Sequence, residues 1–578
     1  MMNVAKFVPI LEQIEGYDSG KFSRDLIAAI VVTIMLIPQS LAYAMLAGLP
    51  PEVGLYASIL PLLAYAIFGS CRTLAVGPVA IASLMTASAL AQVTQQGIVG
   101  HLEGAMLLAL LSGVFLLLLG VLRLGFLSHF LSHSVVVGFI TASGLVIALS
   151  QLKHILGVSA QGHNFVEVAY SISQKIGDFN PYTLAIGIGS LIFLFWARRG
   201  AASLLSKLGV EERLAITLAK VAPVVGVIGT TLLVSILALD SKGVAIVGVI
   251  PTGIPSLSLP SVSIEAVKAL ILPAIFISII GYVESVSVGK TLSAKKKQKI
   301  DGDQELIGLG AANLAAGISG GFPVTGGFAR SVVNFDAGAE TQFAGVFTAV
   351  GITLAALFLT PLLHYLPIAM LAATIMVAVL SLVNFSIFKE SWVFSKSDFA
   401  ATVITVTLTL IAGVEIGVAS GITTSILLHL YHTSKPHIAE IGLLPHTQHF
   451  RNIKHFDVET NPFIVSLRID ESLMFSNAGY MEDYLDNLLI DRPKVSDVIL
   501  HCGAINTIDL SALEMLDRQN ERFIEQSKRL HLSQLKIPVK AQLDKVGFIE
   551  HLSGALYLSQ YSAYTDVLSK ITNTNKPS

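Results

Sequence analysis

Cysteine is nearly missing from this chain. Two occur in 578 residues, Cys71 in an apolar region and Cys502 far away in a polar one. Two such thiols build neither a disulfide framework nor a zinc site. Charge is also thin. Asp, Glu, Lys and Arg make up 13% of the residues, and the formal net charge is −2, which gives no case for nucleic acid as a partner. No nucleophile triad, phosphate-binding loop or catalytic metal motif is found, which argues against an enzyme and implies no cofactor. The first 25 residues lack the short apolar core and small-residue cleavage site of a signal peptide. The first span is therefore expected to anchor the protein as well as to cross the membrane.

What is present is apolar sequence. At 53% hydrophobic residues and a mean hydropathy of +0.72, the chain reads as a polytopic membrane protein. Segments able to cross a bilayer, singly or as paired half-spans, recur from Leu26 to about Tyr431. Fourteen are expected, with twelve as the alternative count, near 26–46, 53–69, 77–93, 104–122, 130–151, 181–197, 214–238, 266–289, 304–319, 326–337, 343–363, 366–383, 398–412 and 415–432. Lysine and arginine fall mostly on one side of this arrangement: Lys6, Lys21 and Arg24, then Arg198, Arg199, Lys207 and Arg213, then Lys290, Lys295, Lys296, Lys297 and Lys299, then Lys389 and Lys396. The other side holds few, such as Lys153, Lys175, Lys242 and Lys268. The bias places residues 1–25 in the cytoplasm, and an even span count returns the chain there after the transmembrane region, 26–432. Residues 433–461 read as a linker and the first piece of the C-terminal domain. From 462 to 578, β-like runs (FIVSLRI, DVILHC, RLHLSQL) alternate with amphipathic helical ones, the rhythm of a small α/β domain.

The stretch GGFPVTGGFARSVVN, residues 320–334, interrupts the apolar pattern. Pro323 and the glycines around it argue against one unbroken helix. A helix is expected to resume after Gly327, with Thr325 as its N-cap. Its first turn would then lie inside the bilayer, where free N–H groups and a partial positive charge attract an anion. Arg330 adds a full charge that is costly at this depth. A kinked structural span with a snorkelling Arg330 is the competing reading.

Weak repeats support the functional one. Gln39 matches Glu284 at an offset of 245, and Gly77 matches Gly326 at 249, which points to duplicated halves. An odd number of spans per half makes them inverted, an arrangement that sets a binding site where two half-helices meet. Glu284 stands alone in the middle of its span, at a cost of roughly +2.5 to +3.5 kcal/mol on insertion scales. Protonation relieves that cost and makes proton coupling the functional reading, while a salt bridge to Arg330 is the structural one.

The stretches IPQSLAYAMLAGLPPEVGLY (37–56), GSCRTLAVGPVA (69–80), GYVESVSVGK (281–290) and GGFPVTGGFARSVVNFDAGAETQFAG (320–345) resemble the sulfate permease (SulP) family of anion transporters. VILHCGAINTIDLSALEML (498–516) resembles the STAS fold shared with anti-sigma-factor antagonists. The resemblance implies fourteen spans in two inverted seven-span repeats, divided into core and gate domains, with a cytoplasmic STAS domain and a homodimer in the cell membrane. It implies facing helix starts whose N–H groups near Val79, Ala80, Phe328 and Ala329 hold an oxyanion, beside Gly326, Gly327 and an arginine matching Arg330. Gln39 and Tyr43 face this pocket in the family pattern, though Tyr43 reads equally as a packing aromatic. Ser83, Thr325 and Ser331 could add hydroxyl donors, or, for Ser83 and Ser331, pack between helices.

The acidic position is linked to the coupling cation in relatives. Sodium-coupled relatives tend to carry Asp there with a hydroxyl residue one turn on, whereas this chain has Glu284 and Val288, which favours a proton over sodium. The expected function is secondary transport of a small inorganic oxyanion, sulfate first, by proton symport with alternating access. Bicarbonate or dicarboxylate transport, an uncoupled channel or exchanger, and a sensor working through the STAS domain are the alternatives. His429, His432, His437, His446, His449 and His455 crowd the linker without zinc spacing, so no metal is expected; His129 and His133 share a helical face near a loop. Ser511 matches the serine phosphorylated in anti-sigma-factor relatives, and with Glu514 also forms a natural capping box.

Overall fold

The structure is a computed structural model and describes residues 8–574, apart from 127–131, 163, 210, 212–214, 216–218 and 220. Lys6, His129 and Arg213 lie outside the described residues. The chain divides near residue 425 into two compact units, each taken by itself.

The first unit is helical. Its elements are α1 (Ile10–Ile14), α2 (Ser19–Leu46), α3 (Pro51–Tyr56), α4 (Leu60–Phe68), β1 (Val76–Gly77), α5 (Ala80–Gln95), α6 (His101–Val121), α7 (His133–Leu156), α8 (Phe165–Lys175), α9 (Pro181–Lys207) and α10 (Ala222–Ile236). There follow α11 (Ile264–Lys295), α12 (Gly302–Ile318), β2 (Thr325–Gly326), α13 (Phe328–Asp336), α14 (Phe343–Phe358), α15 (Ile368–Leu380), α16 (Ser386–Phe394), α17 (Lys396–Ala412) and α18 (Val414–Ser434). Each expected span overlaps a helix, the second being split between α3 and α4.

Seven helical segments among the described residues are long and apolar enough to cross a membrane: α2, α3 with α4, α6, α7, α9, α11 and α18. By contrast α13 has 9 residues and reaches about 14 Å at 1.5 Å per residue, half of a bilayer core of about 30 Å.

The helices sort into two groups, and these are the core and gate domains. In the core, α12 packs on α6 and α4, α11 on α6, and α14 on α2. In the gate, α15 and α17 pack on α7, and α9 on α7, α10 and α15. Small residues set the closeness of the core crossings. A Cβ at Gly308 would meet Gly69 Cα at 2.6 Å, and one at Gly113 would meet the backbone nitrogen of Leu314 at 2.7 Å, so side chains there would push the helices apart. Leu36, Leu41 and Leu55 of the core share one buried cluster with Ile147, Leu194 and Met370 of the gate.

Each half of the unit contributes to both groups. The two breaks meet as an antiparallel pair, with Val76 opposite Gly326 and Gly77 opposite Thr325. Antiparallel pairing of equivalent segments is what inverted repeats produce at their axis. The offset of 249 makes Val76 equivalent to Thr325 and Gly77 to Gly326, so the two observed pairs are exchanged by the repeat symmetry.

The second unit holds a six-stranded sheet in the order β4-β3-β5-β6-β7-β8. Its elements are β3 (Ile438–Leu443), β4 (Phe450–Asn452), β5 (Ile464–Ile469), α19 (Ala478–Asp491), β6 (Asp497–His501), α20 (Leu510–Glu525), β7 (Arg529–Ser533), α21 (Ile537–Lys545), β8 (Leu556–Tyr557) and α22 (Gln560–Thr574). The strands from β5 to β8 are parallel, and β3 is antiparallel to both of its neighbours. β3 and β4 come from the stretch read as a linker. Val465, Leu467, Val498, Leu500 and Leu530 face Met481, Leu485, Leu516 and Phe523 on one side. Ile464 and Ile499 face Tyr564 and Val567 of α22 on the other. Both faces are thus covered, as a parallel sheet requires.

Asp497, fully buried on β6, accepts from His531 Nε2 at 2.9 Å and lies 2.8 Å from Arg529 Nε. These partners outweigh burial and hold its carboxyl below the usual range. Where Ser511 is expected to cap α20, Asp509 does so instead. Its Oδ1 accepts from Ala512 N at 2.9 Å and its Oδ2 from Phe475 N at 2.7 Å, because it is Asp509 that has extended backbone. Ser511 lies in the first turn and is exposed.

Candidate anion site

The site is built by side chains that hold open two breaks in the helical ladder. Backbone groups released inside a membrane must find partners in the protein, and here four polar residues supply them. Glu305 Oε1 accepts from Ser70 N at 2.9 Å, Ser70 Oγ at 2.6 Å and Cys71 N at 2.7 Å, while Oε2 accepts from Tyr65 Oη at 2.8 Å. Asn313 brackets Val324, donating to its carbonyl at 2.9 Å and accepting from its N–H at 3.0 Å. Ser285 Oγ accepts from Gly326 N at 2.8 Å and lies 2.7 Å from Thr325 Oγ1. Asn334 Nδ2 donates to Thr73 O at 3.1 Å. All four were missed in the sequence. No one pattern marks them: Glu305 and Asn313 share α12 with Asp303 and Gln304, Ser285 adjoins Glu284, and Asn334 shares α13 with Arg330, Ser331 and Asp336.

Thr325 does not cap the helix after the break. It lies in β2, and its hydroxyl donates to Gly281 O at 2.7 Å, because pairing with β1 holds it extended two residues before the N-cap, Gly327. Gly327 is at the N-cap position of α13, and Val79 at that of α5, and neither helix receives a side-chain cap. The first bonds within these helices are Ser83 N to Val79 O and Ser331 N to Gly327 O. The N–H groups of Ala80, Ile81 and Ala82, and of Phe328, Ala329 and Arg330, therefore have no acceptor within their helices. Ser83 and Ser331 do not extend this set. Ser83 Oγ donates to Val79 O at 2.8 Å. Ser331 Oγ donates to Gly327 O at 2.7 Å and accepts from Ala75 N at 2.9 Å. Both hydroxyls are committed to backbone, which makes them structural.

One cavity collects most of the expected residues. Gln39, Tyr43, Val79, Ala80, Glu284, Gly327, Phe328, Ala329 and Arg330 line it, together with Ile81 and the gate residues Ala378, Val379 and Leu382. Ser83, Thr325, Gly326 and Ser331 do not. The gate wall went unread because its residues are plain aliphatics. Arg330 is 2% exposed, and neither of its terminal nitrogens has a hydrogen-bond partner. Space for the guanidinium comes from two glycines. A Cβ at Gly77 would lie 2.9 Å from Arg330 Nη1, and one at Gly327 would lie 2.8 Å from Nε. Glu284 Oε2 is likewise buried without a partner, so this oxygen and the Arg330 nitrogens are not bonded to each other. Glu284 also lines an adjoining apolar recess with Val135, Phe139 and Val418.

A membrane protein with core and gate groups, paired half-helices and a buried cation where they meet is by class an anion transporter. Known proteins agree. The sulfate permease family model matches residues 22–405 and the STAS domain model residues 455–563. The chain is 37% identical to the chloroplastic sulfate transporter 4.1 of Arabidopsis thaliana over 546 residues, covering 92% of this chain and 78% of that one. It is 32% identical over 561 residues to a probable sulfate transporter of Mycobacterium tuberculosis, covering 94% and 96%. Its fold is similar to that of the murine Solute Carrier 26 family member A9 anion transporter, with a TM-score of 0.89 at 22% identity over 98% of this chain and 94% of the other. The chain belongs to the sulfate permease family and is a multi-pass anion transporter with a C-terminal STAS domain.

Proposed function

We propose that this protein moves sulfate across the cell membrane with a proton, and that the cavity between core and gate is where the anion binds. The observation that carries this reading is the convergence of two uncapped helix starts and an unpartnered, buried Arg330 on one space. The first-turn N–H groups of both helices and a guanidinium form a donor set for an oxyanion. The sulfate transporters among its relatives support sulfate as that oxyanion.

Glu284, in the same cavity, is the proton carrier. One turn further, Val288 is buried and offers no oxygen, and Ser285 is committed to β2, which disfavours a sodium site. Relative movement of the two helix groups would expose the cavity to each side in turn. The positive-inside bias supports a cytoplasmic STAS domain, where the exposed Ser511 hydroxyl is a candidate for phosphorylation. A homodimer is the proposed assembly.

The reading predicts that purified protein in liposomes takes up labelled sulfate, that unlabelled sulfate competes, and that bicarbonate and succinate compete weakly. Uptake of bicarbonate or succinate in preference to sulfate would replace the substrate while leaving the site in place.

A further inference from the structure

The gate side of the cavity presents the wrong end of a helix to an anion. Ala378, Val379 and Leu382 line it, and α15 ends at Leu380. The last-turn carbonyls of a helix carry about half a negative charge. Two residues of the last turn of α15, Ala378 and Val379, line the space that the first turns of α5 and α13 also line, and Val377 directly precedes them. Three of these carbonyls find donors beyond the regular helix ladder. Ala378 O accepts from Ser381 Oγ at 2.6 Å, Val379 O from Leu382 N at 3.0 Å, and Val377 O from Arg198 Nη1 at 3.0 Å. The last of these donors brings a full charge. Arg198 is carried by α9, which packs on α15 within the gate, so the cation and the helix end it caps belong to one packed group. Both Arg198 and the next residue, Arg199, are exposed, but Arg199 points about 100° away around the helix and so serves as the control.

We propose that Arg198 is a positioning residue for transport: it neutralises the negative end of α15 and so sets the affinity of the cavity in proportion to the charge of the anion. The inference rests on the cavity being the anion site. Cation placement at a helix C-terminus contributes measurably to stability and binding, and an electrostatic contribution doubles from a monovalent to a divalent ion. A purely structural contact would affect both anions alike.

The test is equilibrium binding of labelled sulfate to the purified full-length protein, with nitrate measured by competition. Arg198→Gln keeps a donor for Val377 and removes the charge. It should weaken sulfate binding about fivefold and nitrate only about twofold, the square root. Arg198→Lys, which keeps the charge, should retain most of the affinity, and Arg199→Gln should match wild type. Equal losses for the two anions, or no loss for Arg198→Gln, would overturn the inference. Should Arg198→Gln fail to fold, Arg198→His is compared with wild type at about pH 6 and about pH 8, either side of the imidazole range. Its deficit in sulfate affinity relative to wild type should widen at the higher pH, and a constant deficit would overturn the proposal. A wild-type protein that binds no sulfate would instead overturn the reading of the cavity.

Discussion

Glu284→Gln should abolish concentrative uptake while leaving anion binding intact. An ionised carboxylate in the cavity repels the incoming anion and a protonated one does not, so anion and proton favour each other's binding by equal factors. In wild type, sulfate affinity should rise as the pH falls. In Glu284→Gln, which mimics the neutral form, affinity should stay high and become flat with pH. One pH unit corresponds to about 1.4 kcal/mol per proton, so at clamped membrane voltage a one-unit inward gradient should support about tenfold accumulation in wild type. The variant should reach none, yet exchange internal for external sulfate, because exchange needs no net proton movement. Uptake that ignores the pH gradient and follows sodium would reassign the coupling ion. Normal accumulation by Glu284→Gln would leave the residue without a coupling role.

Gly327→Val should remove anion binding without unfolding the protein. Gly327 has φ −81°, which any residue adopts, so the substitution does not strain the backbone. What it meets is Arg330, with Nε at 2.8 Å and Nη2 at 2.9 Å from the new Cβ. The guanidinium must leave its place, and bulk enters beside the N–H groups of α13. Loss of a charged hydrogen-bond donor is worth about 1.5–3 kcal/mol, or about 10- to 150-fold in affinity. Size-exclusion behaviour and thermal stability should stay close to wild type while sulfate affinity falls by at least the lower figure. Sulfate affinity equal to wild type would remove the cradle from the account.

These two predictions rest on residues that the sequence singles out for a physical reason. Glu284 and Arg330 are legible because a charge at membrane depth is costly. The breaks are legible because Gly and Pro punctuate apolar runs. Capping is not. Thr325 and Ser511 are good capping residues by type, but which residue caps depends on where the chain leaves the helical conformation. Long-range pairing of Val76 with Gly326 settles that at one site, and the extended backbone of Asp509 at the other.

The hydroxyls of Ser83 and Ser331 fail as anion donors for a related reason. A serine near a helix start can bond backward to a carbonyl four residues earlier, and both do. Glu305 shows the limit from the other side. It is a buried acid like Glu284, yet Tyr65, Ser70 and Cys71, some 235 residues away in sequence, satisfy it fully. The sequence singles out Glu284 and passes over Glu305, and only the fold tells which carboxylate oxygen has been left without a partner.

The position of the bound anion is the most direct test of the cavity. Selenate has the shape and charge of sulfate and a selenium atom that can be located by anomalous scattering. In crystals of the full chain soaked with selenate, the anomalous peak is predicted between the first turns of α5 and α13, within hydrogen-bonding distance of Arg330 and of the N–H groups near Ala80 and Phe328. A peak bound elsewhere in the membrane region, with this cavity empty, would contradict it.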